Sequence, residues 1–258
     1  MKKIISVLLI SILLMGVLAA CGTTDKGTSD NKEAKVLIMG TSAEFPPFET
    51  VDPNNGEFIG FDIDLAKAIT SELGYELEIK DMKFDGLIGA LQAGTIDFIA
   101  SGMSATEDRK KNVDFSTEYL HANELFVTTK DSAVKGMDDI EGITVGTQLG
   151  SIQEAGAKKL AETTDIKVKT LDRVPDLMQE LKAGRIDAVL VDEAVADGFI
   201  KDMDLAGFKN ENSASPGMAI AFPKGKDAAL VEEFNKVLKQ MEENGEVKKL
   251  QEKWGISQ

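Results

Sequence analysis

The sequence predicts an α/β protein of two similar lobes, each a parallel sheet covered by helices, with a polar crevice between them. Three observations predict it. LIGALQAGTIDFIAS from Leu87 and LMQELKAGRIDAVLV from Leu177 share their leucines, an Ala-Gly and an Ile-Asp. A second echo pairs VLIMGT at 36–41 with ITVGT at 143–147, each an apolar run closed by Gly-Thr. In each half the apolar spacing runs from strand to helix to strand, the alternation that builds parallel sheets with helices on their faces.

Ahead of the first lobe lies a segment that does not belong to the fold. Lys2 and Lys3 precede an apolar run from Ile4 to Ala20, and LAAC closes it at Cys21. A positive start, a short apolar stretch and small residues describe a secretory signal peptide over 1–21. A cysteine at the cleavage point resembles a bacterial lipobox, in which Cys21 becomes the lipidated first residue. A plain signal peptide or a single membrane anchor is the alternative, although Ser6, Ser11 and Gly16 interrupt a run already at the lower edge of spanning length. Residues 22–34, polar and small, read as a flexible tether. Cys21 is the one cysteine, so an exported domain here has no disulfide and rests on core burial.

Charge narrows the partners. With 29 basic and 44 acidic residues the net charge is −15, which repels phosphate backbones and anionic headgroups. Nucleic acid is excluded as a partner, and membrane attachment would rest on acyl chains at Cys21.

The first strand, 36–41, empties into TSAEFPPFE, where Phe45 and Phe48 flank Pro46-Pro47. Paired prolines forbid helix and give a stiff extended loop. Phe84 precedes Asp85, a candidate cap for the helix carrying Leu87 and Leu91. Ala93-Gly94 ends that helix, and the strand from Ile96 to Ala100 stops at Ser101-Gly102. Ser104-Ala105-Thr106-Glu107 then matches a capping box, as does Ser151-Ile152-Gln153-Glu154 in the second half. Both are also what ordinary helix starts look like. Arg109 is different: a positive side chain in a first turn opposes the helix dipole, and Lys110 and Lys111 only add to it. The arrangement suits a bound anion, gripped by free N–H groups and a guanidinium fork, with Gly102 admitting a close backbone approach.

In open parallel sheets, ligands sit beyond the carboxyl ends of strands. TSAEFPPFE, the Ser101–Arg109 stretch, TQLGSIQE after Val145 and VDEA after Leu190 all lie there. Asp192 aligns with Gly102 in the internal repeat and is expected to face Arg109 across the crevice. An anion grip on one lobe and a carboxylate on the other suit a zwitterion, the α-carboxylate and α-ammonium of a free amino acid. Phe45 and Phe84 would wall its side chain.

With these residues in place, the mature chain resembles the extracellular solute-binding lipoproteins of polar amino-acid ABC importers, the glutamine, histidine and lysine/arginine/ornithine type. GTSAEFPPFE, GFDIDLAKAI, FDGLIGALQAGTIDFIASGMSATEDRKKNVDFS, VGTQLGSIQE, GRIDAVLVDEA, AIAFPKG and NGEVKKLQEKWG carry the resemblance as a set. It implies a type II periplasmic-binding-protein fold with a two-stranded hinge, at 124–130 and 217–225. Lobe 1 is expected at 34–126 plus 221–258, and lobe 2 at 127–220. By similarity, Arg109 takes the ligand carboxylate, assisted by Ser104, Thr106 and N–H groups near Ile152. Asp192 takes the ammonium beside the Gly102 carbonyl, and Phe45 and Phe84 sandwich the side chain. Ser42, Glu44, Ser101, Gln148, Ser151 and Gln153 fall where the side chain is recognised.

Departures from the family pattern bear on the ligand. Ser42 stands where relatives that bind basic ligands often carry Asp, and Glu44 is the candidate replacement. Gln148 stands where some relatives have Lys, against an acidic ligand. Arginine or lysine is the expected ligand, with glutamine the alternative. The expected protein is a monomer lipid-anchored outside a bacterial, Gram-positive cell, partnered by an ABC permease and its ATPase, with no cofactor or metal. An enzyme on the same scaffold, a dehydratase, is the competing class. It lacks a nucleophile motif, a phosphate loop or a metal cluster in the sequence, and the one histidine, His121, reads as a hinge or surface residue. A sensor input domain is the third class, disfavoured because no membrane helix or signalling domain follows WGISQ.

Overall fold

The computed structural model describes residues 35–213 and 215–256. The signal peptide, the tether and Cys21 lie outside the described residues. In chain order the first lobe begins with β1 (Val36–Thr41), β2 (Glu44–Phe45), β3 (Glu49–Val51), β4 (Phe58–Ile59), α1 (Phe61–Glu72) and β5 (Glu76–Asp81). It continues through α2 (Leu87–Ala93), β6 (Phe98–Ile99), the single turn α3 (Glu107–Lys110) and β7 (Val113–Phe115). The second lobe holds β8 (Glu124–Thr129), β9 (Thr144–Gln148), α4 (Ile152–Leu160), β10 (Lys167–Leu171) and α5 (Val174–Lys182). β11 (Ala188–Asp192), α6 (Glu193–Met203) and β12 (Leu205–Lys209) complete it, and β13 (Ala221–Pro223), α7 (Ala228–Glu243) and α8 (Glu246–Trp254) return to the first.

Two five-stranded sheets result, ordered β5-β1-β6-β13-β7 and β10-β9-β11-β8-β12. The topology is the same in both: three parallel strands, then one antiparallel strand, then an edge strand reversed again. The sheets are therefore mixed, not all-parallel. The reversed strand in each follows a crossing from the other lobe and so enters its sheet from the opposite end.

The internal echo has an atomic cause. Asp97 Oδ2 accepts from the Ile38 N–H at 2.7 Å, and Asp187 Oδ2 accepts from the Thr144 N–H at 2.7 Å. The same aspartates return their own N–H to the Ile38 and Thr144 carbonyls. Gly94 and Gly184, at φ 72° and 67°, make the left-handed turn that delivers each aspartate to the first strand. Leu87, Leu91 and Ile96 bury one helix on its sheet, and Leu177, Leu181 and Ile186 bury the other.

The crossings between lobes run through 116–123 and 210–220. They pair with each other: Tyr119 N–H donates to the Met218 carbonyl, Met218 N–H to the Leu120 carbonyl and Ser116 N–H to the Ile220 carbonyl. The two-stranded connection thus lies at 116–120 and 218–220. Glu124–Thr129, expected as a hinge strand, is instead an interior strand of the second sheet between β11 and β12, because its apolar residues Leu125, Phe126 and Val127 are buried there. The expected lobe boundary at 126/127 falls inside that strand.

Candidate functional site

Both first strands end at the same crevice, and the loops after them meet across it. A narrow cavity lies there between the lobes. From the first lobe it is lined by Ser42, Phe45, Glu49, Phe84, Gly102, Ser104 and Arg109, and from the second by Gln148, Ser151, Ile152, Gln153 and Asp192.

Arg109 is aimed by its surroundings. Thr106 is the N-cap of α3 and accepts the Arg109 backbone N–H at 3.2 Å. The guanidinium donates through Nη1 to the Ser104 carbonyl and through Nη2 to the Gly150 carbonyl, each at 3.0 Å, one from either lobe. Its carbon lies 5.3 Å from the centre of the Phe84 ring, a cation–π contact. Burial pulls its pKa down to about 10 while Asp192 pulls it back up.

Asp192 closes β11 and is 3% exposed. Gln153 Nε2 donates to its Oδ1 at 3.1 Å. Burial pushes its carboxyl up to about 8, with the neighbouring Glu124 charge adding to the rise and Arg109 and Gln153 opposing it. Arg109 and Asp192 thus come from opposite lobes, line one cavity and feel one another's charge.

Ser151 caps α4, accepting the Glu154 N–H at 3.0 Å. Glu154 reaches back one residue further than a capping box requires, to the Gly150 N–H at 2.7 Å. The free N–H groups of a helix's first turn therefore belong, in α4, to cavity-lining residues Ile152 and Gln153. The first capping box does not form. Ser104 is bridged to Met218, and the Ala105 N–H is taken by the Gly217 carbonyl, so the helix begins only after Thr106. Glu107 turns outward to Lys110. Asp85 caps nothing either, because a 3-10 turn over Phe84–Gly86 leads into α2.

Three expected site residues lie outside the lining: Thr106, expected at the ligand carboxylate, and Ser101 and Glu44, expected at its side chain. Thr106 is occupied as a cap. The Ser101 hydroxyl accepts the Ser42 N–H at 3.0 Å and donates to Glu49 Oε1 at 2.9 Å. Glu44 is buried and spoken for from the other lobe: Gln148 Nε2 donates to its Oε1 at 3.0 Å, and Arg173 Nε lies 2.5 Å from its Oε2 in an ion pair. Burial raises the Glu44 carboxyl to about 7 against the pull of Arg173. Phe48, on the far side of the paired prolines, is 0% exposed and stacks with Phe45, ring centres 5.8 Å apart.

One lining residue escaped the sequence reading. Glu49 is 0% exposed, and its Oε2 has no hydrogen-bond partner. Burial raises its pKa well above the ordinary value, and the charge of Asp62 raises it further. Asp62, itself raised to about 6 by burial, accepts the Gly102 N–H at 2.7 Å and the Tyr119 hydroxyl at 2.8 Å. No periodicity in the sequence marks it: the hairpin of β2 and β3 sets its place, with Glu49 directly opposite Phe45 in the register.

Two like α/β lobes joined by a paired double crossing, with a charged cavity between them, are the type II periplasmic-binding-protein architecture. The chain belongs to the bacterial extracellular solute-binding proteins, family 3, whose model matches residues 37–257. It is 44% identical over 257 residues to the arginine-binding extracellular protein ArtP of Bacillus subtilis, covering 98% of each chain. An ancestral arginine-binding protein bound to arginine is 44% identical with a TM-score of 0.80, covering 85% of this chain and 97% of that one. An ancestral arginine-binding protein bound to glutamine is 43% identical with a TM-score of 0.79, over 86% and 98%.

Proposed function

We propose that the protein is a non-catalytic receptor that closes its lobes on a free basic amino acid, arginine or lysine, and delivers it to an ABC permease. The observation that carries this reading is the placement of Arg109 and Asp192 on opposite lobes of one cavity. The ligand carboxylate meets the guanidinium, Ser104 and the start of α4, while its ammonium meets Asp192. Each buried charge is then offset only when ligand and both lobes are together, which couples binding to closure. The likeness to the arginine-binding ArtP and to the ancestral protein bound to arginine supports the basic choice.

No general acid or base is needed in this reading. His121 is exposed beside Glu118 on the crossing, away from the cavity. Attachment of the protein outside the cell through a diacylated Cys21 follows from the LAAC motif, and Cys21→Ala with radiolabelled palmitate tests it. Lobe 1 then comprises the chain up to the first crossing and from the second crossing onward.

A thermal-shift screen of the twenty amino acids tests the ligand. A compound that binds only the folded form raises stability by RT ln(1 + [L]/Kd). Arginine or lysine is expected to give the largest shift. Glutamine is the second reading, favoured by the glutamine-bound ancestral structure, and a larger shift with glutamine would establish it instead.

A further inference from the structure

Asp62 stands behind the cavity and takes no part in its lining. It is the second residue of α1 and 0% exposed. An acid in a first turn suits the helix dipole, yet this side chain is spent elsewhere. Its Oδ2 accepts both the Gly102 N–H at 2.7 Å and the Tyr119 hydroxyl at 2.8 Å. The two donors belong to different parts of the molecule. Gly102 lines the cavity at φ 51°, its backbone so near the aromatic wall that a Cβ would lie 3.1 Å from Phe45 Cε1. Tyr119 lies on the first crossing, buried, with its ring 5.8 Å from that of Phe61 and its N–H on the Met218 carbonyl. A second tie runs beside this one. Met218, on the returning crossing, is bridged both to Leu120 and to Ser104, which also lines the cavity. The first lobe's share of the site is thus fastened to the crossings by one side-chain link and one backbone link.

We infer that Asp62 is a positioning residue for amino-acid capture, holding Gly102 in place from behind and fastening it to Tyr119 on the crossing about which the lobes close. The inference rests on the receptor reading above, but not on which amino acid is taken. Without the carboxylate, a backbone N–H and a hydroxyl would be left buried and unpaired. Gly102 would then shift against Phe45, and the cavity would lose the geometry that its supporting residues maintain.

Calorimetry on the full chain with arginine and with glutamine tests this well below each variant's melting temperature, where a role in folding alone leaves affinity unchanged. Asp62→Ala is expected to bind both ligands about 10-fold or more weakly, because it acts through the backbone of Gly102 and not through the ligand's side chain. Asp62→Asn keeps an acceptor oxygen for both donors and is expected to stay within a few-fold of wild type. Tyr119→Phe removes only the tie to the crossing. It is expected to speed release of bound amino acid by about 3-fold or more and to add nothing in the Asp62→Ala background. Wild-type affinity in Asp62→Ala overturns the assignment, as does an Asp62→Asn variant as weak as Asp62→Ala, or full additivity of the Asp62→Ala and Tyr119→Phe losses. If Asp62→Ala does not fold, Tyr119→Phe decides: faster release supports the role, and release at the wild-type rate overturns it. A wild type that binds neither ligand rejects the receptor reading itself, and this inference falls with it.

Discussion

Glu44 and Arg173 meet across the cleft, carboxylate from one lobe and guanidinium from the other, with Oε2 and Nε 2.5 Å apart. The same rim holds a second bridge, Lys83 to Asp172 at 2.5 Å, and the Gln148 hydrogen bond to Glu44. All three tie the lobes together, and of their residues only Gln148 lines the cavity, so they favour closure whatever the ligand. Lys83 and Asp172 are largely exposed and contribute little. Glu44 is 5% exposed, so its partner matters more. Arg173→Ala is expected to speed dissociation of every bound amino acid by a similar factor, about 5- to 30-fold for a loss of about 1–2 kcal/mol. Stopped-flow release of two ligands of different charge checks it. Tighter binding of basic ligands alone would mean that Arg173 competes with them for Glu44.

Arg109 makes a different prediction, because its loss removes the group that answers the ligand carboxylate. Arg109→Ala is expected to cost about 2–5 kcal/mol of binding, mostly in the dissociation rate, since the carboxylate would be buried without its charge partner. Arg109→Lys keeps the charge and loses the two-pronged hold on the Ser104 and Gly150 carbonyls, so it should fall in between. Wild-type affinity in either variant, measured by calorimetry, would remove Arg109 from the site.

What could be read from the sequence followed local rules. The helix, tight turn and strand of each half were legible because Ala-Gly and Ile-Asp are local devices, and the crevice followed from strand ends. The start of α3 was not legible: Ser104 and Thr106 are equally good caps, and the choice depends on Met218 and Gly217 arriving from the far end of the chain. Glu44 reads as a free loop acid until Arg173, from the other lobe, is beside it. Glu49 was hidden because its place depends on a two-residue strand pairing that no periodicity announces.

The raised carboxyls set the pH dependence of the ligand-free protein. Asp192, Glu44 and Asp62, held at about 8, 7 and 6, keep protons that the unfolded chain has already released. The folded form then binds more protons, so stability falls as pH rises from about 4 toward about 8. Lowered carboxyls act in the opposite sense, but Glu180, held near about 2 by Arg185 and Lys169, has completed its contribution by about pH 5. The Tm of ligand-free protein is therefore expected to be higher at pH 5 than at pH 8. Asp192→Asn should flatten this slope, gaining on the order of 1–3 kcal/mol at pH 8 while abolishing amino-acid binding. A Tm that rises over this range, or an unchanged slope in the variant, contradicts the assignment of buried, protonated carboxyls.

The paired glycines of the first strands test the duplicated architecture. A Cβ on Gly40 would lie 2.3 Å from Ile96 Cδ1 and 3.1 Å from Leu87 Cδ2; on Gly146 it would lie 2.6 Å from Ile186 Cδ1 and 2.9 Å from Leu177 Cδ2. Helix and strand are pressed onto glycine in the same way in both lobes, and the isoleucines are 1% and 2% exposed, with little room to move. Gly40→Ala and Gly146→Ala are each expected to destabilise by about 1–3 kcal/mol through overpacking. Ile96→Val and Ile186→Val remove the methyl group nearest each clash. Each should recover much of the loss when combined with the alanine of its own lobe, and none with the alanine of the other. Urea denaturation of the four single and four double variants measures the coupling. Simple additivity within a lobe would show that the close approach of these side chains is not what makes glycine necessary there.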